Sequence, residues 1–266
     1  MGVDTNSWCR LGFGEPSAAY TSASQQARHL TEGWMAEHGF CPACPADRLP
    51  PLPNNTRVGD FRCIDCGEEY ELKAGQGAIA GVLPAGAWGA MQQRLAAANN
   101  PSLFVMGYDR AAHRVSELIV VPRHFFTEAI IRPRAPLGPD ARRAGWQGCT
   151  IRLKDVPAAG RIPLIRHGAP RPQAEVRAAW AATLFLRETE QEARGWLLAV
   201  MQAVEAVTAA AGRPDFTLAE LYARESDLAA RFPANRHVRE KMRQQLQVLR
   251  DRGWLRFEGR GRYRLA

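Results

Sequence analysis

The sequence contains no apolar run long enough to cross a bilayer, because its alanine-rich stretches are short and are flanked by charged residues. It also lacks the basic start and apolar centre of a signal peptide. No internal repeat is visible. We therefore expect a cytoplasmic protein with no membrane partner.

Acidic residues are in deficit, since 27 Asp and Glu face 35 Lys and Arg and the formal net charge is +8. That balance favours an acidic partner, either nucleic acid or an anionic surface. The excess is concentrated in residues 224–266, which contain twelve Lys or Arg and five Asp or Glu. We expect this stretch to face phosphates. The length of 266 residues allows one large domain or two modest ones.

Cysteine is sparse, and most of it occurs in pairs. Four of the six cysteines form two C-x-x-C pairs, Cys41 with Cys44 and Cys63 with Cys66. In a reducing cytosol such spacing indicates zinc or redox chemistry, and two pairs at this separation are typical of a zinc ribbon. We therefore predict one structural Zn2+ held by these four thiolates. Cys9 and Cys149 are predicted to be buried apolar residues.

Three residues close to the second pair predict a catalytic centre, namely Asp60, Glu71 and Lys73. Residues two apart in a strand share a face, so Glu71 and Lys73 should point the same way while Leu72 turns into the core. The turn at the second cysteine pair should bring Asp60 back beside Glu71. Two carboxylates can hold a divalent cation such as Mg2+, and the lysine can orient a nucleophile or neutralise developing charge. This set predicts metal-dependent hydrolysis of a phosphodiester.

The same three residue types also occur on solvated, salt-bridged strand edges, so the motif alone leaves alternatives open. A DNA-binding regulator made of a zinc ribbon and a winged helix would share the cysteines and the basic tail without catalysis. A structure-specific repair nuclease would share the catalytic core and differ in substrate shape. Incubation with Mg2+ and DNA separates a nuclease from a regulator.

Hydrophobic spacing predicts helices over residues 24–38 and 85–98, and short buried strands over residues 103–106 and 118–121. Helices and strands alternate, so the first domain is predicted to be α/β or α+β. Residues 187–194 are charged and almost free of apolar side chains, which suits a junction between domains. We expect a first domain of residues 1–188 and a second of residues 189–266.

The second domain is predicted to be a winged helix. Its first helix is expected over residues 195–211 and its third over residues 236–252. The second helix is expected to begin at Thr217, which forms a capping box with Glu220. A hairpin with a glycine turn should follow over residues 254–265. The third helix is expected to bury Val238, Met242, Leu246 and Leu249. Its outer face would carry Arg236, Arg239, Arg243, Gln244 and Gln247, and the wing Arg260, Arg262 and Arg264. In the major groove, arginine can pair with guanine and glutamine with adenine. The alternative is that this face of the helix is charged only because it is exposed to solvent.

Several runs resemble the DpnI family of restriction endonucleases. They are residues 26–34, 41–44, 60–61 with 71–73, 141–146 and 244–251, and they agree with that family in order and spacing. The resemblance implies a PD-(D/E)XK nuclease core with an embedded zinc site, followed by a winged helix. It implies Mg2+-dependent cutting of duplex DNA at GATC sites that carry N6-methyladenine, with recognition by both domains. We expect the protein to be a monomer. Asp60, Glu71 and Lys73 match the catalytic positions, but Gly59 stands where the motif expects proline.

Methyl recognition is expected to need two readers. Burying one methyl group is worth about 0.8 kcal/mol, and one apolar pocket discriminates by roughly 1–3 kcal/mol. The proposed contact in the first domain is Trp146, which follows Arg142 and Arg143 in a polar loop where an indole has little reason to pack. The alternative is a tryptophan folded back into the core.

Overall fold

Two units make up the chain, of which this computed structural model describes residues 22–53, 59–97 and 100–266. The first unit comprises the described residues up to Lys154 together with Ala159–Ala181, and the second comprises Asp155–Ala158 and Ala182–Ala266. The prediction for Cys9 lies outside the described residues. Within the described ranges, no helix is long and apolar enough to cross a membrane.

A six-stranded sheet forms the centre of the first unit, in the order β1-β2-β4-β5-β8-β9. Only β2 and β4 are parallel, and the other neighbours are antiparallel. Its strands are β1 (Phe61–Arg62), β2 (Glu69–Gln76), β4 (Ser102–Asp109), β5 (Arg114–Val121), β8 (Ile162–Arg166) and β9 (Ala169–Pro170). A second, antiparallel sheet has the order β3-β7-β6 and contains β3 (Leu83–Ala87), β6 (Ile131–Pro133) and β7 (Gly148–Ile151).

Helices α1 (Ala23–His38), α2 (Trp88–Ala96) and α3 (Gln173–Ala181) complete this mixed α/β unit. Ser22 caps α1 by accepting the N–H of Gln25, and the helix packs on β2. Strand β4 is buried along nearly its whole length, as expected of a strand covered on both faces. Strand β2 is buried at Tyr70 but exposed from Ala74 onward, so it runs out of the core into a cleft.

The predicted helix at residues 24–38 and both predicted strands are confirmed. The second predicted helix is partly wrong, because residues 83–87 form β3 and the helix begins only at Trp88. Pairing of β3 with β7 accounts for the difference, since these two strands lie more than sixty residues apart in sequence. The local spacing of apolar residues cannot indicate pairing with a strand so distant in sequence. Cys149, on β7, is buried as predicted.

The second unit has helices around a three-stranded sheet of order β10-β12-β11. Its elements are α4 (Leu184–Arg187), α5 (Gln191–Ala211), β10 (Asp215–Thr217), α6 (Leu218–Tyr222), α7 (Glu225–Arg231), α8 (Val238–Asp251), β11 (Leu255–Gly259) and β12 (Arg262–Leu265). The capping box of Thr217 and Glu220 is present. Sequence spacing missed β10 and α7. It also began the third helix two residues early, because His237 is the N-cap and Arg236 precedes α8.

Candidate functional site

Two cysteine pairs come together in the first unit. The Sγ atoms of Cys41, Cys44, Cys63 and Cys66 all lie within 4.8 Å of one another. The short contacts join different pairs, at 3.6 Å between Cys41 and Cys66 and 3.5 Å between Cys44 and Cys63. All four are free thiols. Four thiolates at about 2.3 Å from a tetrahedral zinc would be about 3.8 Å apart, so this cluster could hold a zinc ion after small shifts of its side chains.

The second cysteine pair is shaped by its own backbone. The N–H of Cys63 donates to the carbonyl of Glu68 at 2.9 Å, and the N–H of Gly67 donates back to the Cys63 carbonyl at 3.0 Å. Burial acts to raise the pKa of Cys63, but hydrogen bonds from the N–H groups of Cys66 and Asp65, together with those from the thiols of Cys44 and Cys66, outweigh burial and lower this pKa. A thiol with a lowered pKa loses its proton more readily to a metal.

Asp60 is fixed at the open edge of β2. Strand β1 covers β2 only opposite Tyr70 and Glu69. The N–H of Asp60 donates to the Tyr70 carbonyl at 2.8 Å, and its Oδ2 accepts the N–H of Leu72 at 2.7 Å. The carboxylate therefore satisfies an edge N–H that would otherwise lack a strand partner. This pairing places Asp60 in the cleft that Glu71 lines.

Glu71 and Lys73 point to the same side of β2, as the period of a strand requires. The Nζ of Lys73 donates to Oε1 of Glu71 at 2.8 Å, and the two side chains are 21% and 31% exposed. The expectation that Leu72 is enclosed in the core is wrong, because it is half-buried where β2 leaves the core. Asp60, Glu71 and Lys73 line one cleft of ≈ 640 Å³. The structure thus brings together the three residues that the sequence singled out.

The surroundings of Asp60 in the cleft raise its pKa. Burial raises the pKa of this carboxyl group, and the negative charges of Glu32 and Glu71 raise it further. The hydrogen bond from Leu72 and the positive charge of Arg28 act in the opposite direction but do not cancel the increase. A partly buried carboxylate beside two other acids is stabilised by a cation. The oxygen donors of Asp60 and Glu71 are the type that Mg2+ prefers.

Trp146 is half-buried on the segment between β6 and β7. A Cβ added at Gly148 would stand 2.8 Å from its ring, so the indole lies close against that glycine. The guanidinium of Arg143 stands 5.0 Å from the ring centroid, and both Arg142 and Arg143 are exposed. The indole is therefore neither enclosed in the core nor free in solvent. Its contact with a methyl group stays a prediction.

On α8 the expected inward stripe is confirmed, and Gln245 is buried with it. The outward residues Arg243, Gln244 and Gln247 are exposed. Arg239 is also exposed, but it is held by Glu225 at 2.7 Å, and its guanidinium lies 5.2 Å from the ring centroid of Tyr222. The free face of α8 is therefore narrower than the sequence suggested.

The wing arginines are of two kinds. Arg264 pairs with Glu258 at 2.7 Å, and Arg262 lies 3.5 Å from Asp215. Arg260 is exposed at the tip between β11 and β12, in a left-handed conformation with a φ of 48°. No salt bridge to Arg260 is found within the described ranges. Of these three arginines, Arg260 is the one whose charge is most available to a phosphate.

Comparison with known families bears on both units. Residues 15–189 match the family described as DpnI, the Dam-replacing family. This match covers more than half of the chain. The chain belongs to the DpnI, Dam-replacing family. Residues 192–265 match the Dam-replacing helix-turn-helix domain. Membership in the DpnI family indicates a restriction nuclease with a DNA-binding helix-turn-helix domain at its C-terminal end.

Glycine stands at position 59, where the nuclease motif expects proline, and the structure gives a reason for it. Its φ is +88°, and a Cβ there would stand 2.9 Å from the Tyr70 carbonyl oxygen. Proline is confined to φ near −65°, so it cannot adopt this conformation. Glycine lets the chain approach β2 closely enough for Asp60 to bond Tyr70.

Sequence reasoning missed two residues in the DpnI-family cleft, Arg28 and Glu32, both on α1. The Nε of Arg28 donates to Glu32 at 2.5 Å, and its Nη2 lies 3.5 Å from Oδ1 of Asp60. Their spacing of four on one helix face was the available signal.

The sequence did not indicate the role of Arg177 on α3. Its guanidinium donates to the carbonyls of Cys41, Pro45 and Ala46 around the first cysteine pair. No local pattern announces Arg177, because it lies more than 130 residues from its partners.

Proposed function

We propose that this chain is a type II restriction endonuclease that hydrolyses phosphodiester bonds of duplex DNA at GATC sites containing N6-methyladenine, in a Mg2+-dependent reaction. Membership in the DpnI family supports the reaction class. The observation that carries the proposal is the convergence of Asp60, Glu71 and Lys73 on one cleft. A regulator without catalysis has no need of this arrangement.

We assign the roles in a PD-(D/E)XK centre from the contacts in the cleft. Asp60 and Glu71 would supply carboxylate oxygens to the cation. A bound divalent cation would polarise the scissile phosphate and lower the pKa of a bound water. Lys73, held by Glu71 at 2.8 Å, keeps a positive charge where a nucleophile must be oriented or a developing negative charge neutralised.

We assign zinc to the four cysteines because the ligand atoms of this site and of the catalytic cleft differ in chemical softness. Thiolates select zinc, whereas carboxylates suit Mg2+. A structural zinc would stabilise the turn that connects the segment carrying Asp60 to the strand carrying Glu71. It would have no contact with substrate.

DNA recognition is assigned to both domains, taken as residues 1–188 and 189–266, in a monomer that acts in the cytoplasm. In the second domain, base contacts are assigned to the outer face of α8 and phosphate contacts to the wing. The exposed residues proposed for the helix are Arg243, Gln244 and Gln247, with Arg236 and Arg239 beside them, and Arg260 and Arg262 are proposed for the wing. In the first domain, the methyl contact is assigned to Trp146, flanked by Arg142 and Arg143.

The direct test is digestion of one plasmid prepared from an adenine-methylating host and from a non-methylating host. With Mg2+ the purified protein should cut only the methylated plasmid, into fragments set by its GATC sites. The matched control is Asp60→Asn, which keeps an acceptor for the Leu72 N–H but loses the charge. Binding without cutting by the wild-type protein would favour the regulator, and cutting of branched DNA regardless of methylation would favour the repair nuclease.

A further inference from the structure

Tyr70 connects the cysteine cluster to the catalytic cleft through one buried hydroxyl group. Its side chain is fully buried, and its Oη lies 3.1 Å from Sγ of Cys41. The ring is held by Phe104, stacked with centroids 4.9 Å apart, and by Trp180 at 6.2 Å. A thiolate that binds a metal has no proton to give, so in this contact the tyrosine is the donor.

The backbone of the same residue holds Asp60. The Tyr70 carbonyl accepts the N–H of Asp60 at 2.8 Å, and Tyr70 is paired with Phe61 in the β1–β2 register. Glu71 follows directly in the chain. One residue therefore touches the cysteine cluster with its side chain and positions both proposed cation ligands with its main chain.

The segment after the first cysteine pair also reaches the cleft through its main chain, because the N–H of Leu52 donates to the Asp60 carbonyl at 2.8 Å. The carbonyl of Cys41 accepts a bond from Arg177, but Arg177 belongs to α3 and does not line the cleft. The bond from Tyr70 is the contact that links a Cys41 thiolate directly to β2. Outer bonds of this kind orient metal ligands, and their loss typically lowers metal affinity or activity by about 10–100-fold.

We propose that Tyr70 is a positioning residue that couples the zinc site to the catalytic cation site: its hydroxyl donates to the Cys41 thiolate while its carbonyl fixes Asp60. This inference rests on the proposed function for its catalytic consequence, and on the cysteine cluster alone for its structural one. Loss of the hydroxyl should loosen zinc and Asp60 together. Zinc then has a role in cation binding although none of the four cysteines of the cluster lines the cleft.

The test is Tyr70→Phe, which keeps the stacked ring and removes only the donor. Tyr108→Phe is the matched control, since Tyr108 is a buried tyrosine of the adjacent strand β4. In zinc-loaded protein, transfer of zinc to a coloured chelator should be about tenfold or more faster for Tyr70→Phe. Hydrogen exchange at the Asp60 amide should also accelerate, and Tyr108→Phe should match the wild type in both measurements.

A third readout concerns catalysis. Tyr70→Phe should need about tenfold more Mg2+ for half-maximal cleavage, because Asp60 is held less firmly. Unchanged zinc transfer, or unchanged exchange at Asp60, would overturn the coupling even if the wild-type protein cuts DNA well. Failure of the proposed function is recognised separately, since the wild-type protein would then not cut while zinc transfer and exchange still respond to Tyr70→Phe.

A measurement on the wild-type protein covers the case in which the variant folds poorly. During slow zinc removal, exchange should accelerate first in peptides that contain Asp60 and Leu72, before those of β5. Simultaneous acceleration in both regions would contradict the coupling, because it would report general unfolding instead of a path from Cys41 through Tyr70.

Discussion

Gly59→Ala perturbs the backbone that carries Asp60 without touching a functional side chain. Two costs add at this position. A residue with a side chain in the left-handed region costs about 1–2 kcal/mol. The new Cβ would also stand 2.9 Å from the Tyr70 carbonyl oxygen, so one of the two chains must move, and forced shifts of this kind typically cost about 1–3 kcal/mol. We therefore expect Gly59→Ala to lower the free energy of unfolding by about 2–5 kcal/mol in total.

Gly77→Ala separates these two costs. Gly77 has nearly the same φ, +84°, but a Cβ there has nothing within 4 Å. Only the backbone cost of about 1–2 kcal/mol is expected. The difference between the two variants therefore measures the close approach of Gly59 to β2.

Urea unfolding and initial cleavage rates are the assays. Gly59→Ala should lower cleavage by on the order of 100-fold, since a misplacement of about 1 Å at a catalytic group costs that much. Gly77→Ala should cut at close to the wild-type rate. Equal losses of stability in the two variants, or full cleavage by Gly59→Ala, would refute the idea that glycine is required for Asp60 to reach Tyr70.

Further predictions concern the cleft, the cysteines and the second unit. Asp60→Asn should abolish cleavage and leave DNA binding intact, and measurable cutting by the purified variant would remove Asp60 from the centre. Because the folded-state pKa of Asp60 is raised, the cation-free protein should lose stability as pH rises from the unfolded pKa through the folded one. Asp60→Asn should not show this loss, which a comparison of urea midpoints across that pH range would reveal. At limiting Mg2+, cleavage should fall as pH drops through the same raised pKa, because protons compete with the cation. Cys63→Ser should lower folding yield and zinc content together, whereas metal analysis that finds no zinc in active wild-type protein would end the zinc assignment. Gln244→Ala should weaken binding to the methylated site more than to random DNA, while Arg260→Ala should weaken both alike and flatten the salt dependence by about one charge. Equal losses on both DNAs for Gln244→Ala would place base reading elsewhere.

Local sequence signals predicted the elements whose stability is local. The amphipathic spacing of α1 and α8, the capping box of Thr217, and the turn in the wing all depend on residues within a few positions of one another. The cysteine spacing likewise restricts its own geometry, because four thiolates of one metal must converge. The three cleft residues were recoverable because β2 is a regular strand and β1 pairs with it through a short turn.

What could not be predicted depends on distant pairing. β3 took the start of a predicted helix because β7 offers it a partner. Arg177 reaches the first cysteine pair from α3, and the Tyr70 hydroxyl contacts Cys41 across 29 positions of sequence. On α8, the engagement of Arg239 by Glu225 follows from the position of α7, a helix that the spacing did not reveal. In each case a tertiary contact, absent from the local pattern, sets the role of the residue.

The most direct measurement of the central claim uses four synthetic duplexes that are identical except at one site: fully methylated GATC, hemimethylated GATC, unmethylated GATC, and a scrambled site with a methylated adenine. Initial cleavage rates are measured with Mg2+ at fixed salt for the wild type and for Asp60→Asn. If each of two readers contributes roughly 1–3 kcal/mol, the two together contribute at least about 2 kcal/mol, so the fully methylated duplex should be cut at least about 30-fold faster than the unmethylated one. The scrambled duplex and the variant should give no product. Equal rates on methylated and unmethylated GATC, or cleavage by Asp60→Asn, would contradict the account.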